Sequence, residues 1–287
     1  MEKLENEFFR VLVSPKGAEL QSIVSSGGEE RLWQGNPVWW ARRSPVLFPV
    51  VGKCASDRLL VGGKTYHMPQ HGFARDADFE LKEKNKESLS FLLQADEKSL
   101  SRFPFHFELY VNYALRGKWM RTEYIVKNPG ESDMPFSIGA HPGFLIPGSG
   151  FSGCMLELEK EENSPRHLLN NGLFSGETEE VLENSRYIFL DEALFRKDAI
   201  VLKDIKSSGI SLYRENKKLL EMRWNNFHHL GIWAKEGCDE YLCIEPWAGH
   251  ADAAGFSGDV SRKAAIEWCA PGKERKFCWE VRFGADD

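Results

Sequence analysis

Apolar and polar residues alternate with a period of two over much of the chain. Within 103–130, Phe105, Phe107, Leu109, Val111, Tyr113 and Leu115 fall on one face, and the run turns at Arg116-Gly117-Lys118 before returning to Asn128-Pro129-Gly130. Side chains on a strand point alternately to its two sides, so this pattern predicts a long antiparallel hairpin with one buried face. Further hairpins are expected at 210–224 and at 263–284, the latter turning through Pro271-Gly272-Lys273. Helical signals are few. Short turns are expected at 96–103, with Asp96 as N-cap, and at 191–198. No repeat or linker divides the 287 residues, so the expected architecture is a single domain over 1–287, all-β and mainly antiparallel, folded as a large β-sandwich with few short helices.

Composition narrows the function classes. The 42% hydrophobic content and nine Trp allow a large core with aromatics left for a binding surface. A formal charge of -6, with short and scattered basic runs, argues against nucleic acid or an anionic membrane as partner. Six cysteines at 54, 154, 238, 243, 269 and 278 form no CxxC pair and read as buried, reduced thiols. The charged start MEKLENEFFR has no apolar stretch, and no segment approaches the ~20 apolar residues of a membrane span, so a cytoplasmic location is expected.

Three stretches place polar groups among small, rigid or apolar neighbours: HGFARD with His71, SIGAHPGFLIP with His141, and YLCIEPWAGHAD with Glu245. A carboxylate on an apolar strand is costly to bury unless it is paired or used. Singly, each stretch also fits a hydrogen-bonded turn or a strand end. Together they fit one site assembled from distant strands, either a metal centre or a proton-transfer pair. Metal sites in β-barrels commonly draw on two ligands close in sequence. His106 stands alone and the adjacent His228 and His229 point to opposite faces, so no metal is expected.

In order along the chain, RSPVLFPVVGK, GKTYHMPQHGFARD, SRFPFHFELYVNYAL, SIGAHPGF and YLCIEPWAGHAD resemble the aldose 1-epimerase (galactose mutarotase-like) superfamily, in particular its LacX-like branch. The resemblance implies a supersandwich of large sheets, a sugar site on a concave face and no cofactor. It implies that His141 protonates the ring oxygen of a sugar, that Glu245 takes the proton of the anomeric hydroxyl, and that His71 hydrogen-bonds the sugar close by. Arg75, Asp198 and Trp247 are the further substrate-binding residues it suggests, with Trp33 and Trp39 as other stacking candidates. Lys53 stands where the branch carries arginine after FPxxG, with Arg58 five positions on as a substitute. The function expected is α/β interconversion of a free aldose by general acid/base catalysis; the alternatives are a hexose 6-phosphate 1-epimerase and a carbohydrate-binding protein without turnover. Because a carboxylate beside an imidazole favours the imidazolium, an ionised Glu245 next to a protonated His141 is expected. The expected partner is a small sugar, and the chain is expected as monomer or homodimer.

Overall fold

The computed structural model describes residues 1–148 and 150–284. The expected hairpin forms from Glu108–Arg116 and Trp119–Lys127, with Gly117 at a φ of 56° in the turn. Leu109, Val111, Tyr113 and Leu115 face Val126, Tyr124, Thr122 and Met120 across the ladder, and all eight are buried. Burial of the two tyrosines is made tolerable by hydrogen bonds: the Tyr113 hydroxyl donates to the Ala18 carbonyl at 2.6 Å, and the Trp279 indole N–H donates to the Tyr124 hydroxyl at 3.1 Å. The residues before Glu108 are not strand. Phe103 and Phe107 instead pack their rings on Phe48, at 6.1 and 5.1 Å.

This hairpin sits inside a nine-stranded antiparallel sheet that runs, edge to edge, from Leu173–Phe189 to Glu80–Lys84. The pair Gly209–Arg214 and Lys217–Asn225 forms as expected. Segment 263–284 does not fold on itself. Glu267–Cys269 pairs with Met134–Phe136, while Glu274–Phe283 inserts between Trp119–Lys127 and Lys217–Asn225, because its ten residues match the buried alternation of the large sheet on both sides. Both expected helical turns are present. Glu97–Leu100 carries a capping box in which Asp96 accepts from the Ser99 amide at 2.7 Å, and Glu192–Phe195 forms a single 3-10 turn.

A six-stranded sheet supplies the second layer, with Tyr241–Ala248 paired to His229–Trp233 on one side and to Ile138–Ala140 on the other. Every residue of Tyr241–Ala248 is buried, yet the strand has two distinct faces. Leu242, Ile244 and Ala248 join the main core shared with the large sheet, whereas Tyr241, Cys243 and Trp247 belong to two smaller clusters on the opposite side. Glu245 has the parity of that opposite side.

One large element went unpredicted. Cys154–Asn170 and Leu173–Phe189 form a hairpin of two 17-residue strands turned by Asn171 and Gly172, both at positive φ. Its inward positions after Leu158 are polar, with Glu162, Ser164 and Arg166 all buried. Glu162 accepts from the amides of Lys206 and Ser207 at 2.9 and 2.7 Å. Arg166 donates to the carbonyls of Leu194, Asp198 and Ala199 at 2.8, 2.6 and 3.2 Å. These buried charges fasten the hairpin to 194–207 through backbone groups, which an apolar alternation rule cannot register.

The two-faced strand has a measurable consequence. Ile244→Ala, which truncates a side chain on the core face, is expected to lower unfolding stability by about 2–4 kcal/mol in urea titrations while leaving the opposite face intact.

Candidate active site

The strand Ile138–Ala140 meets Tyr241–Ala248 with Gly139 opposite Trp247, and Gly143–Leu145 meets the same strand with Gly143 opposite Cys243. The register is the same on both sides of the interruption, so His141 lies across from Glu245. Pro142 lacks an amide hydrogen and breaks the ladder there, freeing the imidazole to turn out of the sheet. The His141 Nε2 lies 3.3 Å from the Glu245 Oε2. On the other flank of Glu245 the paired residue is Gly231, which leaves the space over the carboxylate open.

That space is a cavity of about 240 Å3. Glu245, His141, His71, Arg75, Asp198 and Trp247 all line it, although they come from four separate chain segments. A larger recess of about 740 Å3 lies along the large sheet, but its charges are paired with one another, as in Glu221 with Arg223 and Glu157 with Arg186, and it has no histidine. The smaller cavity is therefore the site with acid/base capacity.

Aromatic walls fix the imidazole. Trp40 stacks on the His141 ring at 4.8 Å and 22°, and Trp233 meets it edge-on at 5.9 Å. Close approach of Trp40 depends on Gly143, where a Cβ would stand 3.0 Å from the indole. Trp247 lies flat along the sheet for a similar reason, since a Cβ on Gly139 or Gly231 would come within 2.6 or 2.5 Å of its ring.

His71 occupies the left-handed region with a φ of 65°, followed by Gly72 at 72°. A Cβ on Gly72 would stand 2.1 Å from the Phe48 carbonyl oxygen, so only glycine fits. The turn lets the Gly52 amide donate to His71 Nδ1 at 3.1 Å. With Nδ1 accepting, the ring proton of a neutral His71 sits on Nε2, which lies 3.3 Å from the Gln70 side-chain amide at the cavity wall. Burial, then the charges of His141 and Arg75, holds His71 well below the usual histidine range. Arg75 donates through Nη2 to the Gln70 carbonyl at 2.6 Å, and its Nε is buried without a partner. Burial and the Arg42 charge bring it down to about 10, so it stays cationic at neutral pH.

Burial also governs the central pair, and it overturns the expected ion pair. It lowers His141 to about 3, helped by the Arg75 charge, and pushes Glu245 well above the carboxylate range, helped by the Asp198 charge. Both directions favour a neutral imidazole beside a carboxylic acid. The pair holds one proton in either description, and in the empty cavity desolvation places it on Glu245. His141 Nδ1 has no hydrogen-bond partner and Glu245 Oε2 has only the 3.3 Å approach of His141 Nε2, which marks the pair as a place where a ligand donor or acceptor is wanted.

Asp198 reaches the cavity from a strained turn, with φ at 69° and its carboxylate accepting from the Ala199 amide at 2.8 Å. Arg166, which donates to the Asp198 and Ala199 carbonyls, holds that turn from behind. Lys53 and Arg58 do not line the cavity. Lys53 extends to 3.8 Å from Asp57, and Arg58 borders a separate recess of about 200 Å3. Trp33 is packed on Tyr241 at 4.4 Å, with its indole N–H donating to the Trp40 carbonyl at 2.8 Å, and neither it nor Trp39 is part of the lining. Sequence reasoning passed over Trp40, Trp233, Phe174 and Leu169 of the lining, and Arg166 behind it. The Asn171-Gly172 turn was the available signal for the two that the long hairpin brings.

Comparison with known proteins identifies the family. The aldose 1-epimerase family profile matches residues 3–262, and the chain belongs to that family. It is 34% identical over 260 residues to the LacX protein of Lactococcus lactis subsp. lactis, spanning 86% of this chain and 87% of that one. Among solved structures it superposes with a TM-score of 0.93 and 34% identity on a galactose mutarotase related enzyme from Lactobacillus acidophilus, covering 99% of this chain and 97% of the other. A galactose mutarotase-like protein from Lactobacillus casei gives 0.92 and 28%, over 98% and 99% of the two chains.

Five buried or half-buried histidines set a pH dependence. His71, His141, His167, His229 and His250 are all held below 6.5, with His141, His229 and His250 at about 3, 4 and 3, chiefly by burial. Groups with depressed folded values contribute stability that is present above 6.5 and lost as pH falls towards 4; Glu245, shifted upward, acts in the opposite sense above 4.5 but is one group against five. The melting temperature is expected to fall between pH 6.5 and 4, and a flat profile over that range would refute the neutral-histidine assignment.

Proposed function

We propose that the protein interconverts the α and β anomers of a free aldose, in the cytoplasm, with His141 and Glu245 moving the protons. The observation that carries this reading is the 3.3 Å contact between the two groups inside a cavity with aromatic walls. In the empty cavity the shared proton rests on Glu245. A sugar hydroxyl donating to Glu245 stabilises the carboxylate and favours transfer of that proton to His141. Glu245 then takes the proton from O1 while His141 delivers one to the ring oxygen, and the C1–O5 bond opens to the aldehyde. Rotation about C1–C2 presents the other carbonyl face, and the reverse transfers close the ring with inverted configuration. After the first half-reaction the pair is again a carboxylic acid beside a neutral imidazole, the state that burial prefers. Spontaneous mutarotation in water is already measurable, so two positioned groups at ~10²–10⁴-fold each supply the required acceleration.

His71 Nε2, Arg75 and Asp198 would hold the hydroxyls, and Trp247 one apolar face of the ring. Charge favours an unphosphorylated substrate. Arg75 is the one Lys or Arg among the described lining residues, and two carboxyl groups, Glu245 and Asp198, share the cavity with it. A phosphate dianion would meet one cation already engaged with the Gln70 carbonyl. Six cysteines without disulfide partners support a reducing compartment.

Polarimetry with fresh α-anomers tests the reading. Glu245→Gln is expected to cut turnover by about 10²-fold or more with sugar affinity changed only a few-fold. Wild-type kcat/KM is expected to be higher for glucose or galactose than for glucose 6-phosphate. Sugar binding with no turnover in the wild type would instead indicate a carbohydrate-binding protein, and a preference for the phosphorylated sugar would reverse the substrate assignment.

A further inference from the structure

Cys243 and Glu245 are two apart on one strand, so their side chains leave the same face, and His141 stands across from Glu245. A thiol sulfur, a carboxylate oxygen and an imidazole nitrogen thereby lie within 4.8 Å of one another, and all three residues are buried. The carboxylate has an oxygen without a hydrogen-bond partner although Glu245 is 1% exposed. Sequence reasoning dismissed a metal for want of a local ligand pair, having looked for neighbouring histidines and CxxC spacings; a Cys-x-Glu pair on a strand is such a pair.

We propose that Cys243, Glu245 and His141 form a binding site for a thiophilic divalent cation, Zn2+, and that its occupation excludes sugar. In tetrahedral zinc sites with bonds of about 2.0–2.3 Å, the nitrogen–oxygen edge is ~3.4 Å and the edges to sulfur ~3.6 Å. The observed nitrogen–oxygen separation is 3.3 Å, so this edge needs no change. The sulfur needs to close by at most roughly 1.2 Å, from the 4.8 Å ceiling. The fourth position opens to the cavity, where a water completes the shell and blocks the place a sugar would take. Hard cations such as Mg2+ require several oxygen ligands and find one here.

Proton balance gives the site a signature. The metal-free cluster carries the thiol proton of Cys243 and the one proton shared by Glu245 and His141. Coordination as thiolate, carboxylate and neutral imidazole releases both, leaving a centre with no net charge around the dication. Apparent affinity is then expected to rise on the order of 100-fold per pH unit near neutrality.

Metal binding is measured directly, so it does not depend on turnover; only the inhibitory consequence rests on the proposed function. Zn2+ titrated into metal-free protein against a colorimetric zinc chelator is expected to show one equivalent bound, with the steep pH dependence. The Co2+ form is expected to show thiolate-to-cobalt charge-transfer absorption. Cys243→Ala and Cys243→Ser should lose that absorption and weaken Zn2+ binding on the order of 100-fold. Because the sulfur is outside the cavity lining, both variants should keep basal mutarotation within a few-fold and escape zinc inhibition. Saturating galactose should displace the ion from the wild type, and Mg2+ should leave binding and turnover untouched. Zn2+ binding unchanged in both cysteine variants, cobalt spectra without a thiolate band, or no binding tighter than millimolar would overturn the proposal. If the wild type turned over no sugar, the functional reading would fall while the titration and spectra still decided the metal site.

Discussion

The structure depends on a strand that is buried on both sides and serves two purposes. Along Tyr241–Ala248 the even positions Leu242, Ile244 and Ala248 fill the space between the sheets, and the odd positions Tyr241, Cys243, Glu245 and Trp247 take the opposite face, where Glu245 and Trp247 line the cavity and Tyr241 and Cys243 pack beside it. A period of two leaves no freedom in this division. A shift of one residue would drive Glu245 into the main core and expose Ile244 to the cavity. The carboxylate is thus placed by the packing of its neighbours, and His141 by the register of the facing strand. Two glycines, Gly139 and Gly231, keep the surface beside the carboxylate low enough for Trp247 to lie flat.

What the sequence showed and what it hid follow from the same rule. The hairpin at Glu108–Lys127 was readable because seven of its eight inward positions are apolar or aromatic, Thr122 being the exception. The Cys154–Phe189 hairpin was not, since Glu162, Ser164 and Arg166 point inward and are satisfied by carbonyls and amides of residues distant in sequence. Segment 263–284 carried the correct alternation, but alternation does not name the partner, and both of its strands pair elsewhere. For the site, His71, His141 and Glu245 stood out through their small and rigid neighbours, and their family resemblance suggested roles. Lys53 was chosen by its place in a motif, yet its side chain runs to Asp57. Trp40 was passed over in favour of Trp39 because the two adjacent tryptophans differ in which one meets the cavity, and only the fold decides that.

Protonation was the least accessible property. Opposite charges attract, and from sequence that argument made His141 and Glu245 an ion pair. Burial of both groups reverses it in the empty cavity, where desolvation outweighs the attraction and a neutral pair is favoured. The same desolvation makes the pair responsive. A bound group that donates to the carboxylate replaces lost hydration and moves the proton across a 3.3 Å gap. Acid and base are then generated together by ligand binding, with one proton shared between them and no need for either residue to hold a full charge beforehand.

The most direct test of this account is the protonation state of His141 followed by nitrogen NMR in imidazole-labelled protein at pH 7, with and without saturating sugar. Resonances are assigned with His141→Gln, and Glu245→Gln is measured in parallel. The account predicts a neutral ring in the free protein, a shift towards imidazolium on adding sugar, and no such shift in Glu245→Gln. A ring already cationic in the free protein, or one that stays neutral when the cavity is filled, would contradict it.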